Sequence, residues 1–426
     1  MTAVVGILNK QAVAVAADSA VTISGGNGRK IFNHANKIFR LSYTQPVGIM
    51  IYNSANFMQT PWEILIKVYR EQLGKKTFPK LEEYQKDFLK FLKNKNYFTD
   101  LEGQKQAGFE FCHNVFAAIK QQAFQSFQIQ RPLTPEELGA SISAQIQGIH
   151  YQLTTTQKPV CEEFATYTRA QFDTFFVEIL ETSIKQNFED ANLTLSQSDL
   201  GLLKNIVFEI LKSNNFLNNF TGLVFIGYGV TEIFPSLIPL QISFVVGNRL
   251  RYFLDENMKC HISHQNGSAI RPFAQTDVIN TILSGVDPSL SDLYTNNFKE
   301  FLNNYNNFLV QQIGDSNPLL VQQIRDIDLQ SIVNQYTQKN EDIKRIKYIE
   351  PLMNAVGTLS KEDLAEMAES LIYLTYLKRR ITFAEESVGG PVDVAIISKT
   401  DGFIWIKRKH YFKPELNHHF FSNYSK

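Results

Sequence analysis

Three residue types in the first forty positions could do chemistry together: Thr2, Asp18 and Lys37. Removing Met1 would leave Thr2 with a hydroxyl and a free α-amine on one residue. That joins a weak nucleophile to a general base, the combination acyl transfer needs. Taken singly, each residue has a plainer reading. Position two is often small, Asp18 could end a strand, and Lys37 could be a solvated strand lysine. The joint spacing is what raises the chemical reading.

The elements that must position these residues read as strands. Ala3 to Leu8 is apolar and valine-rich, Asn9-Lys10-Gln11 is a turn, and Ala12 to Ala17 is a second strand. Ser24 to Gly28 is a glycine-rich turn. Lys37 to Ser42 and Val47 to Tyr52 make two more strands, so the chain is expected to open with two consecutive hairpins of one sheet. A helix follows from Trp62, with Ile64, Leu65, Val68, Tyr69 and Leu73 at 3.6-residue spacing. Helical stretches continue, including one long helix over Glu162 to Phe188 and another over Leu195 to Lys212. Strand character returns at Gly222 to Gly227, Leu237 to Val246 and Leu250 to Phe253. Helices resume near Pro272 and run to Arg380. The end is again β: Pro391 to Ser398, a Thr400-Asp401-Gly402 turn, then Phe403 to Arg408. Segregated blocks of strands and helices predict an α+β fold.

Composition narrows the function classes. Lys plus Arg and Asp plus Glu are equal at 42 each, so the chain has no basic field of the kind nucleic-acid binders carry. Three scattered cysteines, Cys112, Cys161 and Cys260, make no disulfide framework and fit a reducing compartment. No apolar run reaches the eighteen or so residues of a membrane helix. Ala14 to Ala17 looks like a signal cleavage site, but no basic segment precedes it and Asn9, Lys10 and Gln11 interrupt the apolar stretch. A cytoplasmic protein without nucleic-acid or membrane partners is expected. Cys260-His261-x-x-His264 has too few ligands for structural zinc, and no metal or cofactor is expected. Lys407-Arg408-Lys409 reads as a solvated strand end.

The chain resembles proteasome β-type subunits and bacterial proteasome-like peptidases of the N-terminal-nucleophile hydrolase superfamily. The residues carrying the resemblance are Thr2-Ala3-Val4-Val5-Gly6, Ala16-Ala17-Asp18-Ser19 with Thr22, and Lys37-Ile38-Phe39-Arg40-Leu41. Phe225-Ile226-Gly227-Tyr228-Gly229 looks like the family's central strand, and Gly389 to Ile397 like its last two strands with their turn. The resemblance implies one domain over 1–426, a four-layer αββα sandwich, with helical insertions at 75–219 and 287–380. It implies Thr2 as nucleophile, Lys37 beside its hydroxyl, and Asp18 holding Lys37. Thr22 would bind substrate backbone, a backbone N–H near Tyr52 or Asn53 would form the oxyanion hole, and Ser54 would shape the first specificity pocket. Glu385 and Ser387 are the candidates to support the terminal amine. The family usually has glycines where Tyr52 and Asn53 stand, and an aspartate and a serine where Glu385 and Val388 stand. The implied activity is peptide hydrolysis, on peptide or unfolded-protein substrates, in a homo-oligomer with an unknown regulator. A catalytically inactive subunit of the same fold and a small-amide hydrolase remain alternatives.

Overall fold

The computed structural model describes residues 2–25, 28–93, 99–125, 134–156, 158–191, 193, 195–217, 219–382 and 388–419. The fold is α+β, and the chain divides into two compact units. One comprises Met1–Ile38, Ile233–Ser236 and His261–Lys426; the other comprises Phe39–Glu232 and Leu237–Cys260.

The first unit is built on a five-stranded sheet. Its order is Ser268–Ala274, Ala3–Asn9, Ala12–Ala17, Asp393–Ser398, Gly402–Lys407, and neighbours pair antiparallel. Side chains alternate across a strand. Ala3, Val5 and Ile7, then Ala12, Ala14 and Ala16, and finally Val394 and Ile396 therefore meet one helix-covered core. The small residues have a use. The helix Lys361–Ile381 lays Leu364, Ala365, Ala368, Leu371 and Ile372 on this face, and alanines on both surfaces let backbone approach backbone. A capping box at Ser360 and Asp363 starts that helix, and Lys378, Arg379 and Arg380 end it. Asn9 fixes the hairpin. Its side-chain oxygen accepts from Gln11 N and Ala12 N, while Nδ2 donates to Val356 O and Leu359 O.

The second unit holds the other sheet, ordered Arg249–Leu254, Ser236–Val246, Thr221–Gly227, Val47–Asn53, Ile38–Arg40, with Cys260–His261 pairing to Ser236–Val246. Thr221–Gly227 takes the middle place in that order. The helices Trp62–Leu73 and Leu81–Lys93 cover it with Trp62, Leu65, Tyr69, Tyr84 and Phe88. A separate core joins Leu101–Gln125, Pro135–Thr155, Arg169–Asn187 and Gln197–Lys212.

Four sequence expectations need correction. The two opening hairpins do not share a sheet: Ala3–Ala17 belongs to the first sheet, Ile38–Asn53 to the second. Residues around the glycine-rich turn form a further pair, Val21–Gly25 with Gly28–Phe32. Glu162 to Phe188 is not one helix. A 3₁₀ turn at Glu162–Phe164 precedes Arg169–Asn187, which has its own capping box, Thr168 with Gln171. Ser268–Ala274 is a strand, and helix resumes only at Asp277.

Candidate active site

The first hairpin positions Asp18. Strand Ala12–Ala17 ends immediately before it, and Asp18 N still donates to Ala3 O at 3.1 Å. Its carboxylate then gathers four donors. Oδ1 accepts from Ala3 N at 2.9 Å and from Lys37 Nζ at 2.6 Å. Oδ2 accepts from Ala20 N and from Gly389 N, each at 3.1 Å. A carboxylate offers about four lone-pair sites, so these four donors saturate Asp18. It is an organiser. One oxygen links the Lys37 ammonium to the peptide nitrogen that joins Thr2 to Ala3. The ammonium therefore lies within two hydrogen-bond lengths of Thr2's own peptide. Lys37 Nζ also donates to Ala20 O at 2.6 Å. Thr2 O accepts from Gln275 N at 3.2 Å, extending the pairing with strand Ser268–Ala274. Thr2, Asp18 and Lys37 are 3%, 1% and 3% exposed.

That burial governs the electrostatics. Desolvation lowers the Lys37 pKa, more than the Asp18 carboxylate raises it. A second, partly buried ion pair acts on Lys37 at longer range. Lys409 Nζ binds Asp393 Oδ2, and Lys409 N donates to Asp393 Oδ1 at 2.9 Å. The Lys409 charge lowers the Lys37 pKa and the Asp393 charge raises it. Asp393 pairs with Ala17, which pairs with Val4. All three therefore point to the face away from the helix-covered core. Lys409, itself only partly exposed, is thus the partner of buried Asp393 and not the end of a solvated charge run; Lys407, which bonds Glu369 at the surface, fits that description.

The loop before Asp393 closes the site. Ser19 N donates to Gly389 O at 3.0 Å, and Ser19 Oγ donates to Pro391 O at 2.5 Å. Gly390 has φ +76°, and a Cβ there would lie 2.8 Å from Asn33 O. Only glycine suits both conditions. Val388 is buried in the apolar core, so no hydroxyl stands at that position. Glu385 and Ser387 lie outside the described residues.

Thr22 lies on Val21–Gly25 opposite Ile31. Its strand is half of a two-stranded sheet, with one edge not taken by any described strand. Tyr52, Asn53 and Ser54 lie in the second unit, at the end of Val47–Asn53. The Tyr52 ring crosses the neighbouring strand at Gly222, where a Cβ would come within 1.9 Å of it. Burial raises the phenol pKa, with Asp255 adding to the effect. Asn53 adopts a left-handed φ of 71°, tolerated by asparagine, and its Nδ2 donates to Phe220 O at 2.8 Å. Ser54 Oγ donates to Asn56 O at 2.9 Å and accepts from Asn56 N.

Four participants carry no signal in the spacing of Thr2, Asp18 and Lys37: the Ala20 carbonyl, the Gly389 N–H, Asp393 and Lys409. Two are backbone groups, which carry no sequence signature. The ion pair was legible only as an aspartate opening an apolar strand and a lysine beyond the next one. Among the described residues no group of His, Cys, Asp and Glu could hold a metal ion. His261 Nδ1 instead bonds Ser236 Oγ at 2.8 Å, and Cys260 is buried.

No protein-family model matches this chain. No curated protein matches it either. Solved structures that match include one described as Anbu (Gly-1) mutant from Hyphomicrobium sp. strain MC1. That match has 7% identity and a TM-score of 0.28 over 99% of this chain and 94% of the other. A TM-score at that level is too low to establish a shared fold. Among the described residues no helix is long and apolar enough to cross a membrane.

Proposed function

We propose that this chain is an N-terminal-nucleophile hydrolase, a proteasome-like threonine peptidase that acts through Thr2 once Met1 is removed. The observation that carries the reading is the single Asp18 oxygen shared by Ala3 N and Lys37 Nζ. It ties the candidate nucleophile's peptide to a buried cation by two short bonds. The fold reading that goes with it is a four-layer αββα sandwich enlarged by helices at 75–219 and 287–380. Each unit has the sheet and the helix layer that half of such a sandwich needs.

The chemistry follows from these groups. A free α-amine titrates at about 7.7–8.0 and is partly neutral near pH 7. It takes the Thr2 hydroxyl proton as Oγ attacks the scissile carbonyl carbon. The Lys37 charge favours the developing anion on Oγ. Collapse of the tetrahedral adduct breaks the C–N bond, and the amine returns its proton to the leaving nitrogen. Water then hydrolyses the Thr2 ester by the same route in reverse. Thr22 would hold substrate backbone along its open strand edge as an added strand, and backbone N–H groups near Tyr52 and Asn53 would bind the oxyanion. Ser54 would border the side-chain pocket. Glu385 and Ser387 would support the amine. The same groups serve a small-amide hydrolase, which differs only in pocket.

Intact mass and N-terminal sequencing of the purified chain should show Thr2 as the first residue. Thr2→Ala should abolish turnover of fluorogenic peptides and labelling by a threonine-directed electrophile, with an unchanged circular dichroism spectrum. Retained Met1 would sink the reading. A free Thr2 that reacts with no substrate or probe would favour an inactive assembly subunit, a second reading that the exposed aromatic surface of the inserted helices supports.

A further inference from the structure

The helix Pro288–Ile313 has no buried residue, yet it is far from polar. Leu290, Tyr294, Phe298, Phe301, Tyr305 and Phe308 follow one another at spacings of four, four, three, four and three. That repeat keeps all six on one face and is the signature of a helix that pairs with another helix. Phe298, at the edge of the stripe, is covered within the chain: its ring lies 4.3 Å from that of Tyr336 on Leu329–Lys344. The centre is uncovered. Tyr294, Phe301, Tyr305 and Phe308 are 54%, 64%, 53% and 53% exposed, and the Phe301 and Tyr305 rings run parallel along the helix.

We propose that this stripe is a homotypic interface, in which Pro288–Ile313 pairs with the same helix of a second copy of this chain. Charge selects the occupant. No charged residue occurs between Glu300 and Asp315, so two copies meet without like-charge repulsion and offer an oppositely charged partner nothing to recognise. A membrane surface is disfavoured because the polar side of a surface-bound helix is rich in lysine and arginine. Here that side carries Asn303, Asn304 and Asn307, and Lys299 is the helix's one cation. Size agrees as well. Aromatic side chains bury about 150–250 Å² each when fully covered. Four that are half exposed offer on the order of 400 Å² per copy. Two copies, with Leu290 and Leu293 at the margin, approach the roughly 1,000 Å² that a specific interface requires. The face is self-complementary, as a two-fold contact demands.

Light scattering coupled to size exclusion on the full chain tests this directly. The wild type should have twice the 48.7 kDa chain mass or an even multiple of it. Phe301→Glu with Phe308→Glu should halve that mass and raise the dimer dissociation constant at least about 100-fold, since each carboxylate would lose water on association. Both sites are exposed, so the monomer should keep its circular dichroism spectrum. Phe301→Cys sits at the centre of the stripe in either helix orientation, and the native cysteines are buried. A short bismaleimide should therefore link two such chains. A monomeric wild type, a mass unaffected by the two glutamates, or wild-type co-sedimentation with phosphatidylglycerol vesicles that the glutamates abolish would each overturn the proposal. None of these readouts depends on Thr2 chemistry.

Discussion

At the scale of single residues, the centre turns on how many donors one carboxylate holds. Asp18 accepts four hydrogen bonds, one from a buried ammonium. Asp18→Asn keeps the shape but replaces one acceptor oxygen with a donor and leaves Lys37 uncompensated. Breaking a buried pair in this way costs about 3–5 kcal/mol, so chemical denaturation should show a loss of that size. Hydrolysis, read as kcat/KM on a fluorogenic peptide, should fall by about 10²-fold or more at equal folded fraction. Lys37 makes the second prediction at this scale. Its folded pKa lies below the ordinary 10.5, so between those two values the unfolded chain holds the extra proton. Stability should therefore rise with pH through that window, and Lys37→Met should flatten the rise. If charged Lys37 serves Thr2, the alkaline limb of kcat/KM must also fall below 10.5. A profile flat to that pH would exclude the role.

Whole elements decide where these residues stand, and they were unevenly legible in the sequence. The hairpin Ala3–Ala17 read cleanly because its strands are apolar on both faces and bounded by a polar turn that Asn9 stitches. Ser268–Ala274 was hidden because Arg271 and Pro272 interrupt its apolar pattern, although it pairs along the whole first strand. The break in Glu162–Phe188 rests on Thr168 and Gln171, a capping box set inside an apolar periodic run. Gly389 and Gly390 were visible as a turn, but not the carboxylate that the turn serves. Gly390→Ala tests that service. The added Cβ would meet Asn33 O at a φ of +76°, which costs about 1–3 kcal/mol and displaces the neighbouring Gly389 N–H from Asp18. Thermal unfolding should show the cost, and activity should fall by more than the unfolded fraction explains. Arg251 does comparable work in the second unit. It is buried with no carboxylate partner among the described residues and donates to carbonyls of Ile210, Leu211, Ser213 and Asn215 at the end of Gln197–Lys212. Burial lowers its pKa to about 10, yet it keeps its charge at neutral pH and caps the helix dipole.

Over the molecule as a whole, charge neither steers substrate nor keeps copies apart. Cations and anions balance at 42 each, for a net charge of zero at pH 7. Proteins near zero net charge lose the mutual repulsion that keeps them dispersed. Random association should therefore be strongest close to pH 7, superimposed on any specific pairing through Pro288–Ile313. The two kinds of contact respond differently to the same substitution. Phe301→Glu with Phe308→Glu removes apolar surface and adds two negative charges, which moves the point of zero charge below pH 7. Polyethylene glycol precipitation from pH 5.5 to 9 should give the wild type a solubility minimum near pH 7. The variant's minimum should lie at lower pH, with higher solubility at pH 7. Salt separates the contributions further, because screening acts on exposed charges and leaves the burial of Phe301 and Tyr305 intact. A dimer mass that persists in 0.5 M salt while the solubility minimum flattens is the expected pattern. A dimer that dissociates in salt would mean that ion pairs, and not the aromatic stripe, hold the copies together.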